Sequence, residues 1–214
     1  AFLGALIVAL LVYRLARIGP TVQVATLLLA GIAVAAVISA VISLIMALSG
    51  EEIRSIYFWL LGGLGARGWK AVAVAAPLVA MGVFLTAVFR QNLNLLALGE
   101  ERAAQLGLDV EGFKRTAVAT GALLAAAAVS AAGVIGFVGL MTPHLLRLVV
   151  GADHRRLIPA VILGGAAFLV LADLSARTVL SPQEIPVGAV TALLGGPFFL
   201  FLLRREKSAA GATT

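Results

Sequence analysis

Thr21 to Gly50 is an unbroken stretch without a single charge. A helix needs about 20 predominantly apolar residues to cross the hydrocarbon core of a bilayer, so this stretch is long enough to cross with tilt. A soluble domain could not absorb it together with its neighbours. Of the 214 residues, 62% are apolar and 12% charged, about half the charged share of a soluble domain. That is more apolar side chain than a soluble core of this size holds, and too much for a disordered chain. With no cysteine, disulfide scaffolds and cysteine-ligated metal sites are excluded too. The expected fold is all-α, a polytopic membrane helix bundle.

Charges and turn residues divide the rest. Ala1 to Tyr13 is uncharged, is followed by Arg14 and Arg17, and reads as the end of a span. The chain opens directly into this run, with no initiator Met and no basic n-region, so we expect a fragment of a longer chain. Ile18-Gly19-Pro20 is a break. Glu51 to Leu61, with Tyr57 and Trp59 beside charges, reads as a short interfacial helix, and a glycine-rich loop follows it. Ala71 to Phe89 is the next span. Gln91 to Arg115 is the most polar internal stretch, in which Gly99 and Gly107 bracket about two turns of amphipathic helix. Thr116 to Leu146 is too long for one simple span. Its glycines predict a turn at residues 135–141 and a shorter span from Thr142 to Val150. Pro159 begins a span running toward Arg177, Ser181 to Pro186 is a loop, and Val187 to Leu203 is the last span, ended by Arg204, Arg205 and Lys207.

These seven spans can be oriented by counting. If the C-terminus is cytoplasmic, the outer side receives Arg54, Arg67, Lys70 and Arg177, and the inner side the other 12 of the 16 basic residues. That is a clear positive-inside bias. It also accounts for the formal charge of +6 without nucleic acid, because no basic block interleaved with aromatics occurs.

Several chemistries have no motif here. There is no phosphate-binding G-x-x-x-x-G-K-[ST], no H-E-x-x-H and no G-x-S-x-G elbow. Four features remain. Leu95 to Leu108 is either a solvated loop or a docking helix, and its apolar face (Leu98, Ala104, Leu106, Leu108) favours docking. Asp173 and Arg177, at i and i+4, are either a functional pair at membrane depth or a structural ion pair at the interface. His144, three residues before Arg147, is either a ligand or a packed histidine. The glycines and prolines at 133–143 and 182–197 fit broken helices along a substrate path or tight helix packing.

Three segments then carry a resemblance: GVIGFVGLMTPHLLRLVVGADHRRLIP (133–159), GGAAFLVLADLSART (164–178) and EIPVGAVTALLGGPFFLFLL (184–203). In this order and spacing they resemble the FecCD-type permease family, the transmembrane subunits of ABC importers for iron–siderophores, haem and cobalamin. TLLLAGIAV (26–34), YFWLLGGLG (57–65) and LNLLALGEERAAQLGL (93–108) are similar to the same family. Its members have ten spans, so the seven here correspond to the fourth to tenth. The chain is then the C-terminal two-thirds of one permease domain (1–214), with a cytoplasmic coupling segment at 93–111.

The resemblance implies roles for particular residues. Between Gly99 and Gly107, Glu100, Glu101, Arg102 and Gln105 would be polar contacts to the ATP-hydrolysing subunit, with Leu98 and Leu106 as apolar anchors. Arg177 would pair with a glutamate of an extracytoplasmic substrate-binding protein. Val24, Ala25 and Thr26 would lie at the inner gate. The implied partners are two ATPase subunits, the binding protein, a second permease copy (identical or a close paralogue) and membrane lipid, in a bacterial cytoplasmic membrane. No catalytic residue, metal or cofactor is expected in this chain. The competing reading is an ion-gradient-driven secondary transporter with Asp173 as its proton site.

Overall fold

The uncharged runs are helices in the computed structural model, which describes residues 2–18, 21–48, 59–65, 68–183 and 185–211. In chain order these are α1 (Phe2–Ala16), α2 (Val24–Leu48), α3 (Trp69–Val88), α4 (Arg90–Leu96), α5 (Glu100–Gln105), α6 (Val110–Ala132), α7 (Val138–Val150), α8 (His154–Thr178) and α9 (Val187–Gly211). Between α1 and α2, Arg17–Ile18 (β1) and Thr21–Val22 (β2) form a two-residue antiparallel pair. By length and composition α2, α3, α6 and α8 can each cross a membrane, and α1, α7 and the apolar part of α9 are shorter apolar helices. Among the described residues seven apolar helices thus stand where seven spans were expected, and the all-α, polytopic reading holds.

Helix α2 illustrates what sustains such an element. None of its most apolar window is buried among the described residues, so its surface must be covered by lipid or by further protein, and either favours an apolar helix. Near the bilayer centre each Leu, Ile or Val favours insertion by about 0.3–0.6 kcal/mol, whereas a charged residue costs about 2.5–3.5 kcal/mol. One charge would cancel roughly six such side chains, and α2 carries none.

Three boundaries differ from expectation. Helix α6 begins at Val110 rather than Thr116, because Asp109 caps it: its Oδ1 accepts from Gly112 N at 3.0 Å, satisfying one of the free N–H groups of the first turn. The turn before α7 occupies residues 133–137, not 135–141, and Gly139 is helical. Helix α9 runs to Gly211, past Arg204, Arg205 and Lys207, since leaving the membrane does not oblige a helix to stop. Helix α4 was not anticipated as a separate element. Most of the interfacial helix expected at 51–61 lies outside the described residues.

The chain forms two compact units, the first holding α1 to α6 up to Ala131, the second residues 59–65 and everything from Ala132. In the first unit α1 packs on α2. Helix α3 meets α6 where buried Gly82 faces Leu124, and a Cβ at position 82 would overlap that side chain. At the end of α3, Phe89 and Phe113 meet edge to face with ring centroids 5.7 Å apart.

In the second unit α7, α8 and α9 pack together. Gly164 admits Leu146, and Ala172, Ala176 and Val187 form a small core with Ile135, Ile185 and Val190. Small residues let membrane helices approach closely where lipid gives no hydrophobic drive to associate.

Three connections meet at one end of this unit. Gly63 N donates to Ala132 O (2.8 Å), Ile185 N to Ala176 O (3.1 Å) and Gly62 N to Trp59 O (3.2 Å). A Cβ at Gly62 would overlap Val134 O, one at Gly133 would overlap Trp59 O, and one at Gly188 would overlap Leu61 O. Backbone packs on backbone here, a glycine clasp. Phe137 stands beside it at φ 66°, the one non-glycine residue with positive φ among those described, and it fills the space that a side chain at Gly195 would need. The alternation of spans requires the connections at 59–65, at 133–137 and before α9 to share one side. The clasp brings them together.

Candidate functional site

The coupling segment folds as an elbow between α3 and α6. Helix α4 ends in a turn (Leu98 N to Leu95 O and Gly99 N to Leu96 O, both 3.0 Å), and Gly99 takes φ 103° to start α5. At the far end Gly107 takes φ 89°. Gly107 N donates to Ala104 O at 2.9 Å and Leu108 N to Ala103 O at 3.0 Å. This pair of bonds around a left-handed glycine is a Schellman stop. The Asp109 cap of α6 follows at once. Both glycines adopt backbone that a side chain would disfavour, so the two turns are written in the sequence.

The elbow presents two kinds of surface. Ala103 is fully buried and seats α5. Glu101, Arg102 and Gln105 are exposed, and so are two large apolar side chains, Leu98 at 53% and Leu106 at 61%. All eight residues expected to act at this segment, Leu98, Gly99, Glu100, Glu101, Arg102, Gln105, Leu106 and Gly107, therefore lie on one short elbow. Glu100 differs from its neighbours. Its Oε2 accepts from Lys114 Nζ at 2.6 Å, and Lys114 also reaches Glu111 Oε1 at 3.2 Å.

The other candidate residues stand elsewhere. Arg177 lies in the last turn of α8 and is bound in a fork by Asp173: Nε to Oδ2 at 2.8 Å and Nη2 to Oδ1 at 3.3 Å. Ala176, next to it, accepts from Ile185 N, which puts Arg177 at the clasp end of its unit. Val24, Ala25 and Thr26 open α2 just after the β pair, with Ala25 exposed and Thr26 half-buried. His144 packs edge-on against Phe198, ring centroids 6.0 Å apart.

Sequence reasoning missed Lys114 and the clasp. The i,i+3 spacing of Glu111 and Lys114 was a visible hint. The bridge from Lys114 to Glu100 is tertiary and had no local signal.

Comparison with known proteins gives a consistent result. The model of the FecCD transport family matches residues 1–205. The chain is 48% identical over 204 residues to the cobalamin import system permease protein BtuC of Halobacterium salinarum, covering 95% of this chain and 55% of that protein. It is 42% identical over 208 residues to the hemin transport system permease protein HmuU of Yersinia pestis (97% and 62%). Against the Fe(3+) dicitrate transport system permease protein FecD of Escherichia coli it is 38% identical over 207 residues (97% and 64%). A solved structure described as an inward-facing conformation of a metal-chelate type ABC transporter superposes with a TM-score of 0.82 at 32% identity, covering 95% of this chain and 64% of that one. The chain spans less than two thirds of the length of each of these relatives.

Proposed function

Because the chain belongs to the FecCD transport family, an integral membrane family, we propose that it is the transmembrane permease part of an ABC importer. Its cargo would be an iron complex (ferric siderophore or haem) or cobalamin, the classes named for its relatives. ATP hydrolysis would take place in a separate partner subunit, and a second permease copy would complete the passage.

The observation that carries this reading is the elbow. Two leucines project from a charged, glycine-bounded segment, flanking Glu101, Arg102 and Gln105. Apolar side chains beside exposed charges suit a groove on another protein better than water or lipid. A short helix seated in the ATPase subunit moves when two such subunits close on ATP. That motion biases the permease between outward-open and inward-open packings.

For the remaining residues the side follows from the positive-inside count and the role from the family resemblance. The elbow and the C-terminus would be cytoplasmic. Arg177 would face the other side, where it would receive a carboxylate of the substrate-binding protein, and Val24, Ala25 and Thr26 would border the inner gate. The ion-gradient alternative needs Asp173 to pick up and release a proton during transport. Its carboxylate is already engaged at both oxygens by Arg177, which speaks for the importer.

The test is a pull-down of the tagged full-length protein from its native membrane in mild detergent. A stoichiometric ATPase subunit is the expected companion. A protein that transports while repeatedly coming out alone would overturn the importer reading and return Asp173 to the front.

A further inference from the structure

We propose that Lys114 is a transmission residue: it staples α5 to α6, so that a displacement of the coupling elbow is delivered to a membrane-crossing helix instead of being lost in the turn between them. The proposal rests on the coupling role of the elbow.

The geometry points there in three steps. First, the backbone path from α5 to α6 runs through Gly107 at φ 89°. A glycine joint absorbs changes of φ and ψ more readily than any other residue. A push on α5 transmitted by backbone alone would tend to fold this joint. Second, the Lys114 side chain is 13% exposed and its ammonium reaches Glu100, 14 residues back across the joint, at 2.6 Å. The second contact, to Glu111 at 3.2 Å, lies within α6 and contributes little to the link between helices. Third, the lysine side chain is largely packed and its ammonium lies within hydrogen-bond distance of a carboxylate on each helix. Moving α5 away from α6 would break the contact to Glu100 while the one to Glu111 stayed. A lysine whose stem is packed is a better-defined tie than a pair between two freely exposed side chains. At the same end of α6, the Phe113 ring meets Phe89, so what the staple moves is a packed helix end.

Glu100 then has its chief duty inside the chain. Glu101, Arg102, Gln105, Leu98 and Leu106 are left to face the partner.

The test uses the full-length permease with its ATPase and binding protein in liposomes, and reads cargo imported per ATP hydrolysed. Lys114→Met is expected to retain the ATPase subunit at wild-type stoichiometry but to import about fivefold less, or lower still, per ATP, the scale of a typical coupling energy. Lys114→Arg, which keeps the cation, is expected to stay near wild type. Should Lys114→Met fail to assemble, the exchange Glu100→Lys with Lys114→Glu carries the test: an assembled, coupled double variant supports the staple, and an assembled but uncoupled one overturns it. Lys114→Met that assembles with an unchanged ratio overturns the staple alone. Wild-type protein that retains no ATPase overturns the coupling reading, and the staple with it.

Discussion

Gly188 shows how much one missing side chain can decide. A methyl group there would overlap the Leu61 carbonyl and press on Val134 O, and neither backbone atom can step aside as a side chain would. Overpacking of this kind typically costs about 1–3 kcal/mol. Gly188→Ala is expected to lower the thermal midpoint of the purified full-length protein by several degrees. Gly196→Ala, whose new Cβ meets nothing within 4 Å, is expected to leave it unchanged or slightly higher, since alanine favours helix over glycine by about 1 kcal/mol; equal losses in both variants would refute the clasp. At Arg177 the question is partner binding. The fork from Asp173 pre-sets the guanidinium, and Arg177→Glu is expected to weaken docking of the substrate-binding protein at least tenfold in a titration, the scale for breaking a charge pair at an interface. A glutamate-to-lysine change on that partner should restore it. Affinity that ignores the single variant would remove Arg177 from the docking face. The pairing of Arg177 was legible because Asp173 stands four residues before it near the end of the same apolar run, whereas its docking role came from the resemblance alone. The left-handed backbone of Phe137 was not, because nothing in the residue itself favours that conformation.

Among the elements, the elbow was the most legible and the membrane helix ends the least. Gly107, followed two residues later by Asp109, is a helix stop and a helix start in three letters, and the Schellman bonds and the cap form there. The charges after it misled. Glu111, Lys114 and Arg115 fall in the polar stretch ahead of the expected span, whereas they occupy the first turns of α6, where Lys114 meets Glu111 and Glu100. Arg204 and Arg205 misled in the same way, marking the edge of the apolar run but not the end of α9. Charge reports where lipid ends, and caps report where helices end, so the two signals separate wherever a helix projects beyond the bilayer. For the elbow itself the expectation concerns its apolar pair. Leu98→Asp with Leu106→Asp places two carboxylates where buried methyl groups are needed in a docked complex, and co-purification of the ATPase subunit should fall at least tenfold. Normal recovery of that subunit, with normal transport, would show that the elbow docks nothing.

For the whole molecule, an alternation of seven spans is what the distribution of arginine and lysine predicts. The clasp supports it independently, since connections assigned to one side are in contact. These 214 residues hold no cysteine, so once any cysteine elsewhere in the full-length protein is replaced, single introduced cysteines test the orientation. In the full-length protein, Ala152→Cys is expected to react with a membrane-impermeant maleimide only from the cytoplasmic side, and Gly68→Cys only from the outer side. The reverse pattern would invert the topology. The pairings within the clasp were out of reach of the sequence, because glycines in a membrane chain serve helix contact, helix breakage and loop fit alike, and only the fold tells them apart. The clasp also bears on how such permeases could be recombined. Its parts come from residues near 60, near 133 and near 188, far apart along the chain, and they fit through main-chain atoms. A chimera that takes these segments from different parents would bring together two backbones never shaped to each other. Exchanging side chains alone could not mend that seam, since its closest contacts are between main-chain atoms.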